Sequence, residues 1–187
     1  SEIDADDALD GLGWYLEGNA RVEERAMLRA EVTGHKAPFD ALNDVVAGRG
    51  EVLRVIEVET RVDGALLAVY RGDGVVVATA TGSTAYGFSV GGPVILPHSQ
   101  AIMFVPVAPH LSFQNAVVLD PDQTITLALL DAPARLSLDG QEEHDLRPGD
   151  RIEVRRSPTV ARLVRTASMR PFLTLLKQKI LKEAGGA

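Results

Sequence analysis

A chain of 187 residues is long enough for one well-filled core, or for one and a half domains. Asp and Glu outnumber Lys and Arg by 26 to 19, and the net charge of −7 argues against a nucleic-acid surface, which needs clustered cations. Without cysteine there are no disulfides or thiolate metal sites, no apolar run approaches membrane-spanning length and no signal-peptide pattern opens the chain, so the expectation is a soluble cytoplasmic protein with neither membrane nor nucleic-acid partner.

Residues 3–18 place Ile3, Leu9, Leu12 and Leu16 at helical spacing, with Asp4 or Asp6 as cap and Gly11 and Gly13 as weak points. Arg21 to Val32 reads as a strand, alternating best from Met27 onward. After a polar turn, Ala41 to Val46 is a short apolar segment carrying Asn43 and Asp44. Val52 to Val62 alternates through Val55, Ile56, Val58 and Thr60; Asp63-Gly64 signals a hairpin, and Leu66 to Tyr70 is the return strand. Further strands are expected at Val75–Ala78, Ala101–Val107, Ala116–Leu119, Thr124–Leu130, Leu136–Leu138, Ile152–Arg155 and Val160–Val164. Turns fall at Asp120-Pro121-Asp122, Asp139-Gly140 and Pro148-Gly149-Asp150. Many short strands at this spacing predict a mainly β chain folded as a sandwich. The end differs: from Pro171 to Leu181 the residues Phe172, Leu175, Leu176 and Ile180 share one helical face, and Gly185-Gly186 lies beyond it.

The stretch most open to a functional reading runs from Asp73 to Gly92. A short apolar strand empties into Thr81-Gly82-Ser83-Thr84-Ala85-Tyr86-Gly87-Phe88-Ser89 and then Gly91-Gly92-Pro93. Thr81, Ser83, Thr84 and Ser89 offer hydroxyls, Gly82 and Gly91-Gly92 allow close backbone approach, and Tyr86 offers a flat ring with a polar tip. That is chemistry suited to holding a nucleotide. It also fits an ordinary connection, since Thr, Ser and Gly dominate loops. Neither a P-loop nor three glycines at Rossmann spacing is present. His35, His98, His110 and His144 show no metal-ligand spacing.

The order of landmarks resembles the C-terminal half of bacterial NAD kinases. The resemblance rests on Ala41-Leu42-Asn43-Asp44-Val45-Val46, Tyr70-Arg71-Gly72-Asp73-Gly74, and the run from Thr79 to Pro93 with Ala80 where the family has proline. Pro106, Pro109-His110, Leu111-Ser112-Phe113, Asp139-Gly140-Gln141, Glu23-Glu24-Arg25 and Arg170-Pro171-Phe172 extend it over nearly the whole chain. It implies a β-sandwich of the NAD kinase C-terminal type, flanked by N- and C-terminal helices that dock on an α/β domain outside this sequence. Residues 1–20 would be a helical boundary segment, 21–166 the NAD-binding sandwich and 167–187 a returning helix. The family's Gly-Gly-Asp-Gly-Thr motif is not in this sequence, so no catalytic residue is assigned here. Its aspartate is expected upstream of Ser1, and the fragment is expected to be inactive alone.

The implied activity is phosphorylation of the 2′-hydroxyl of the adenosine ribose of NAD by ATP to give NADP. Mg²⁺ would accompany ATP, held by phosphates rather than by a protein cage. By the same resemblance Asn43 meets adenine and Asp44 the ribose hydroxyls of the nicotinamide half; the family often has Glu at the second position. Asp73 would accept from the nicotinamide carboxamide, in a site shared between subunits of a dimer or tetramer. Thr81, Thr84, Ala85, Tyr86, Gly87, Phe88 and Ser89 would line the dinucleotide, Ala108 would lie beside it, Gln141 would face the nicotinamide end, and Arg54 and Arg71 would contact ligand. On residues alone, Asn43-Asp44 also fits a capping pair, Asp73 a turn aspartate, and Arg54, Arg71 and Gln141 solvated positions. Two alternatives are a lipid kinase of the diacylglycerol or sphingosine type, which needs an apolar acyl slot, and a non-catalytic nucleotide-binding or oligomerisation module.

Overall fold

β-branched and aliphatic residues at alternate positions give this chain strands with one face to bury, and the strands assemble into two antiparallel sheets that share a core. The computed structural model describes residues 12–19, 21–50, 54–110, 112–165 and 171–184. A short helix α1 (12–16) is followed by β1 (Arg21–Val32), β2 (Phe39–Ala41), β3 (Asp44–Arg49), β4 (Ile56–Val62), β5 (Ala65–Gly72) and β6 (Gly74–Ala78). A 3₁₀ turn (Gly82–Thr84) and a helical turn α2 (Tyr86–Ser89) lead into β7 (Ile102–Val107), β8 (Val117–Leu119), β9 (Ile125–Leu129), β10 (Ala134–Leu138), β11 (Glu142–Leu146), β12 (Arg151–Arg165) and α3 (Phe172–Ala184). The first sheet has the order β2-β1-β12-β9-β4-β5 and the second β11-β10-β3-β6-β7-β8. Leu28, Ile56, Val58, Ile125, Leu127 and Ile152 of the first pack with Val45, Val75, Val77, Phe104 and Leu136 of the second, all nearly inaccessible. The mainly β sandwich expected from the sequence is the fold observed.

Strand β6 is buried on both faces. Val75 and Val77 face the sandwich interior; Val76 and Ala78 face outward and pack with Met103 and Val105, against Val90 and Ile95 from the segment after α2. The glycine-rich loop thus covers the back of the second sheet.

Several elements depart from the sequence-based expectation. The apolar segment Ala41–Val46 is divided: β2 ends at Ala41 in one sheet and β3 begins at Asp44 in the other, so the chain crosses between sheets at Leu42-Asn43. The strands expected at Ile152–Arg155 and Val160–Val164 are one long strand, β12, running through Pro158. Its pairing with β9 covers only Arg151 to Val154, so beyond that point proline removes no donor that β9 would use. β11 was not expected. It is an edge strand paired only with β10, and among its residues only Leu146 is buried, so it needs no apolar alternation. Asp63-Gly64 and Asp139-Gly140 do turn as read, with both residues of each pair at positive φ. Of the helix expected at 3–18, residues 3–11 lie outside the described residues and 12–16 are helical. Val52, Leu111, Arg170 and Gly185-Gly186 also lie outside them.

The chain divides into two units, residues 1–24 with 162–187, and residues 25–161. Within the first, Glu23 accepts from Arg165 at 2.5 Å and Glu24 from Arg162 at 3.1 Å. There α3 half-buries Phe172, Leu175 and Leu176 and leaves Leu173, Ile180 and Leu181 exposed. The second unit holds the shared core and every candidate site residue. Among the described residues no helix is long and apolar enough to cross a membrane.

Candidate functional site

Where a chain leaves one sheet for the other, its ladder is broken and its N–H groups need other partners. At Leu42–Asp44 those partners come from one side chain. The Asp139 carboxylate, on the β10–β11 turn, accepts from the backbone N–H of Leu42 at 2.8 Å, Asn43 at 2.6 Å and Asp44 at 3.1 Å, while the Asp139 N–H donates to the Asp44 carbonyl at 3.0 Å. Positive φ at Asp139 and Gly140 turns the chain back so that this carboxylate points at the crossing. Gln141 is exposed in the same turn.

The loop after β6 closes on the crossing from the other side. The Thr79 N–H donates to the Asn43 carbonyl at 2.9 Å; the Thr79 hydroxyl donates to the Leu42 carbonyl at 2.7 Å and accepts from the Gly82 N–H at 3.0 Å. Gly82 lies directly on the Asn43 backbone: a Cβ there would overlap the Asn43 carbonyl and stand 2.8 Å from its Cα. Its glycine character therefore serves chain-to-chain packing, where the sequence suggested approach to a ligand. Gly92 behaves likewise, with an added Cβ meeting the Gly87 carbonyl at 2.7 Å and Met103 sulfur at 2.9 Å.

The hydroxyls divide into two kinds. Ser83 is fully buried, donates to the Ala80 carbonyl at 2.7 Å and accepts from the Ile95 N–H at 3.0 Å; its hydroxyl fastens the loop. Thr84 donates to the Thr81 carbonyl at 3.2 Å, and Thr81 accepts from the guanidinium of the buried Arg25 at 3.2 Å. Thr81, Thr84, Ala85 and Phe88 are half-buried, Gly87 is buried, and Tyr86 and Ser89 are exposed on α2. One edge of the bend thus meets solvent while the other is locked into the fold.

Asp44 is the electrostatic centre of this end. Its side chain is buried, and among the described residues it receives no hydrogen bond; burial, aided by the Asp139 charge, pushes its carboxyl from the ordinary 3.8 up to about 6.

Arg71, Asp73 and Ala108 gather at the opposite end of the same sheet, at another crossing, from β5 to β6. The Asp73 N–H donates to the Val107 carbonyl at 3.0 Å, and its carboxylate lies 3.2 Å from the Arg49 guanidinium. Gly72 fits here only without a side chain, since a Cβ would meet the Val107 and Ala108 carbonyls at 2.7 and 2.8 Å. Ala108 is held at φ 45° and is exposed, as are Arg71 and Arg54. The residues picked from the sequence therefore form two groups, separated by the length of β6, roughly 16 Å at ~3.3 Å per residue. Asp139, Thr79, Arg25 and Arg49 were given no role from the sequence. Asp139 stands there as an Asp-Gly turn residue and within the Asp139-Gly140-Gln141 landmark, and neither signal points to the backbone of Leu42–Asp44.

Fold and loops together define an antiparallel β-sandwich whose polar residues collect where the chain changes sheets. The ATP-NAD kinase C-terminal domain family model matches residues 42–166, and the chain belongs to that family. An NAD kinase of Natranaerobius thermophilus is 39% identical over 185 residues, covering 96% of this chain and 64% of the relative, so the chain spans slightly less than two thirds of that protein. Among solved structures, yeast NADH kinase complexed with NADH superposes with a TM-score of 0.82 at 28% identity, over 89% of this chain and 51% of that one. An NAD kinase from Archaeoglobus fulgidus in complex with ATP gives 0.73, also at 28% identity, over 86% of this chain and 61% of that one. The lipid-kinase and non-catalytic alternatives are not favoured by these relationships.

Proposed function

We propose that this chain is the dinucleotide-holding part of an NAD kinase, which passes a phosphate from ATP to the 2′-hydroxyl of the adenosine ribose of NAD to give NADP. The observation that carries the reading is the seating of Gly82 on Asn43, which brings an amide, a carboxylate and the hydroxyl-bearing bend to one sheet end. In this reading Asn43 pairs with the adenine edge, where an amide offers donor and acceptor together, and Asp44 accepts from two vicinal ribose hydroxyls. Thr81, Thr84, Ala85, Gly87, Phe88 and Ser89 line the ligand, Tyr86 packs on a ring, and Gln141 faces the nicotinamide end. The second group, Arg71, Asp73 and Ala108 with Arg54, serves the ligand of a neighbouring copy, so the working protein is a homo-oligomer, a dimer or tetramer. Two well-separated groups on one sheet support that division.

Phosphoryl transfer needs positioning, a base and neutralisation of charge. This chain supplies positioning, and no residue in it is assigned as base. Among the described residues no three His, Asp or Glu side chains come together as a metal-ligand set, and the Mg²⁺ that would accompany ATP would be held largely by its phosphates. The cytoplasm is the compartment this reading places it in.

The test uses the whole protein that contains this chain. Saturable NAD binding and ATP-dependent NADP formation are expected, with Asn43→Ala weakening NAD by about tenfold or more. Co-expressing Asn43→Ala copies with Asp73→Ala copies should restore part of the activity that either lacks alone, because mixed oligomers rebuild one intact site. A folded protein with no saturable NAD binding would overturn the reading.

A further inference from the structure

We propose that Asp139 is a positioning residue of the ligand site: it holds the Leu42–Asp44 crossing so that Asn43 and Asp44 face the dinucleotide, and it couples that presentation to the charge on Asp44. This inference rests on the reading of Asn43 and Asp44 given above and adds to it a residue that would touch no ligand.

Three observations converge on it. First, Asp139 satisfies three consecutive backbone donors at a point where neither sheet can. An amide in its place keeps one acceptor oxygen and turns an NH₂ toward donors, leaving at least one part-buried N–H without its partner. Second, the bonds run in both directions, since the Asp139 N–H returns to the Asp44 carbonyl, and the positive φ values at Asp139 and Gly140 fix the turn that makes this possible. The crossing therefore cannot tilt without breaking the turn. Third, Asp44 is buried, its carboxylate receives no hydrogen bond among the described residues, and it stands beside the Asp139 charge. A carboxylate left this way is one to which a diol brings the missing donors.

The surrounding elements leave Asp139 as the controlling charge. Strand β6 contributes Val77 and Ala78 next to the crossing, followed by Thr79, all uncharged, and β10 contributes Leu138. The loop after β6 contributes Gly82 and Thr81, the latter bonded to Arg25 from β1. Burial and Asp139 are what act on the Asp44 carboxyl, both favouring its protonated form. Ionised Asp44 offers both oxygens as strong, charge-assisted acceptors to two hydroxyls, whereas the protonated acid turns one of them into a donor, so ligand binding and loss of the Asp44 proton are linked.

The experiment measures NAD dissociation constants by titration calorimetry from pH 5 to 8.5, on the whole protein and on Asp139→Asn and Asp44→Asn. The wild type should weaken by up to about tenfold per pH unit below its midpoint. Asp139→Asn should bind about tenfold more weakly at pH 8 and move the midpoint to lower pH, because the neighbouring charge is gone. Asp44→Asn should be weak and flat across the range. A purely structural role would lower the melting temperature of Asp139→Asn without moving the midpoint, and that result overturns the proposal. So does an Asp139→Asn variant indistinguishable from wild type. Should that variant not fold, carbon-detected NMR of wild-type Asp44 decides: saturating NAD must drive its carboxyl to the ionised form at pH 6, and an unchanged signal refutes the inference. Absence of NAD binding by the wild type at pH 8 defeats the proposed function itself, an outcome distinct from wild-type binding that ignores Asp139.

Discussion

Replacing Gly82 with alanine tests whether the loop after β6 is seated as tightly as its geometry demands. The new methyl carbon would stand 2.8 Å from the Asn43 Cα and closer still to the carbonyl, against an ordinary carbon–carbon contact of about 3.5–4.0 Å. Relief requires the Thr79–Ser83 turn to lift by roughly an ångström, since the obstacle is backbone and has no rotamer to change. Overpacking of this kind costs about 1–3 kcal/mol. Lifting also stretches the Thr79 N–H bond to Asn43 and the Thr79 hydroxyl bond to Leu42, each worth about 1 kcal/mol. The expected loss is therefore about 3–5 kcal/mol, and at roughly 2–4 °C per kcal/mol for a chain of this size the melting temperature should fall by roughly 10 °C or more. NAD affinity should fall with it, because Asn43 and Thr81 would separate. Gly13→Ala is the control: nothing lies within 4 Å of an added Cβ there and the residue is helical, so stability should hold or rise slightly. Thermal unfolding by circular dichroism and NAD titration give both readouts. A Gly82→Ala protein that melts within about 2 °C of wild type and binds NAD equally well would show that the loop has room to spare.

Asp44→Asn should stabilise the fold at neutral pH while impairing ligand binding. The sign follows from the raised carboxyl: below the unfolded value of 3.8 both states are protonated, between 3.8 and about 6 the folded state holds the extra proton and loses stability as pH rises, and above about 6 the full cost persists. That cost is roughly 3 kcal/mol, so the variant's advantage should be clear in denaturant melts at pH 7.5 and absent at pH 3.5. Thr79→Val removes the hydroxyl that ties Leu42 to Gly82 and should cost about 2–3 kcal/mol by chemical denaturation; a loss under about 0.5 kcal/mol would contradict that role. Tyr70→Phe and Thr60→Val remove buried hydroxyls that find no partner among the described residues. Each should gain about 1 kcal/mol, and a comparable loss would reveal a missed hydrogen bond. Arg49→Ala breaks a half-exposed pair with Asp73 and should change stability by less than about 0.5 kcal/mol.

The sandwich was legible because its strands obey a local rule. β4, β6, β7 and β9 are each bounded by turn residues, and each shows an apolar run or alternation that no helix would use. Departures occurred where burial on a local face stopped being the deciding constraint. β11 is an edge whose Glu142, Glu143 and Asp145 face solvent, so the hydrophobic pattern carries no trace of it. Pro158 reads as a break, yet β12 continues through it because β9 ends before reaching it. Both outcomes depend on which strand lies alongside, a fact of topology that a single chain does not display.

The candidate site was legible as a set of residue types and illegible as an arrangement. Asn43-Asp44 and the Thr81–Ser89 bend could be singled out by chemistry alone, but the same chemistry suggested that Gly82 and Ser83 serve a ligand, whereas they serve the fold. The cause is common to both. Crossing from one sheet to the other strands the backbone groups of Leu42–Asp44, and the fold repairs this with Asp139 on one side and Thr79 with Gly82 on the other. Those repairs leave the Asp44 side chain buried and without a hydrogen bond among the described residues, which makes it costly for stability and, under the proposed function, open to the hydroxyls of a ligand. Asp73 stands at the corresponding break on the opposite end of the sheet, again on a backbone held by a neighbouring strand. Two of the candidate acidic groups, Asp44 and Asp73, thus stand at sheet-changing points, because along paired strands the backbone is already satisfied and the inward side chains are apolar.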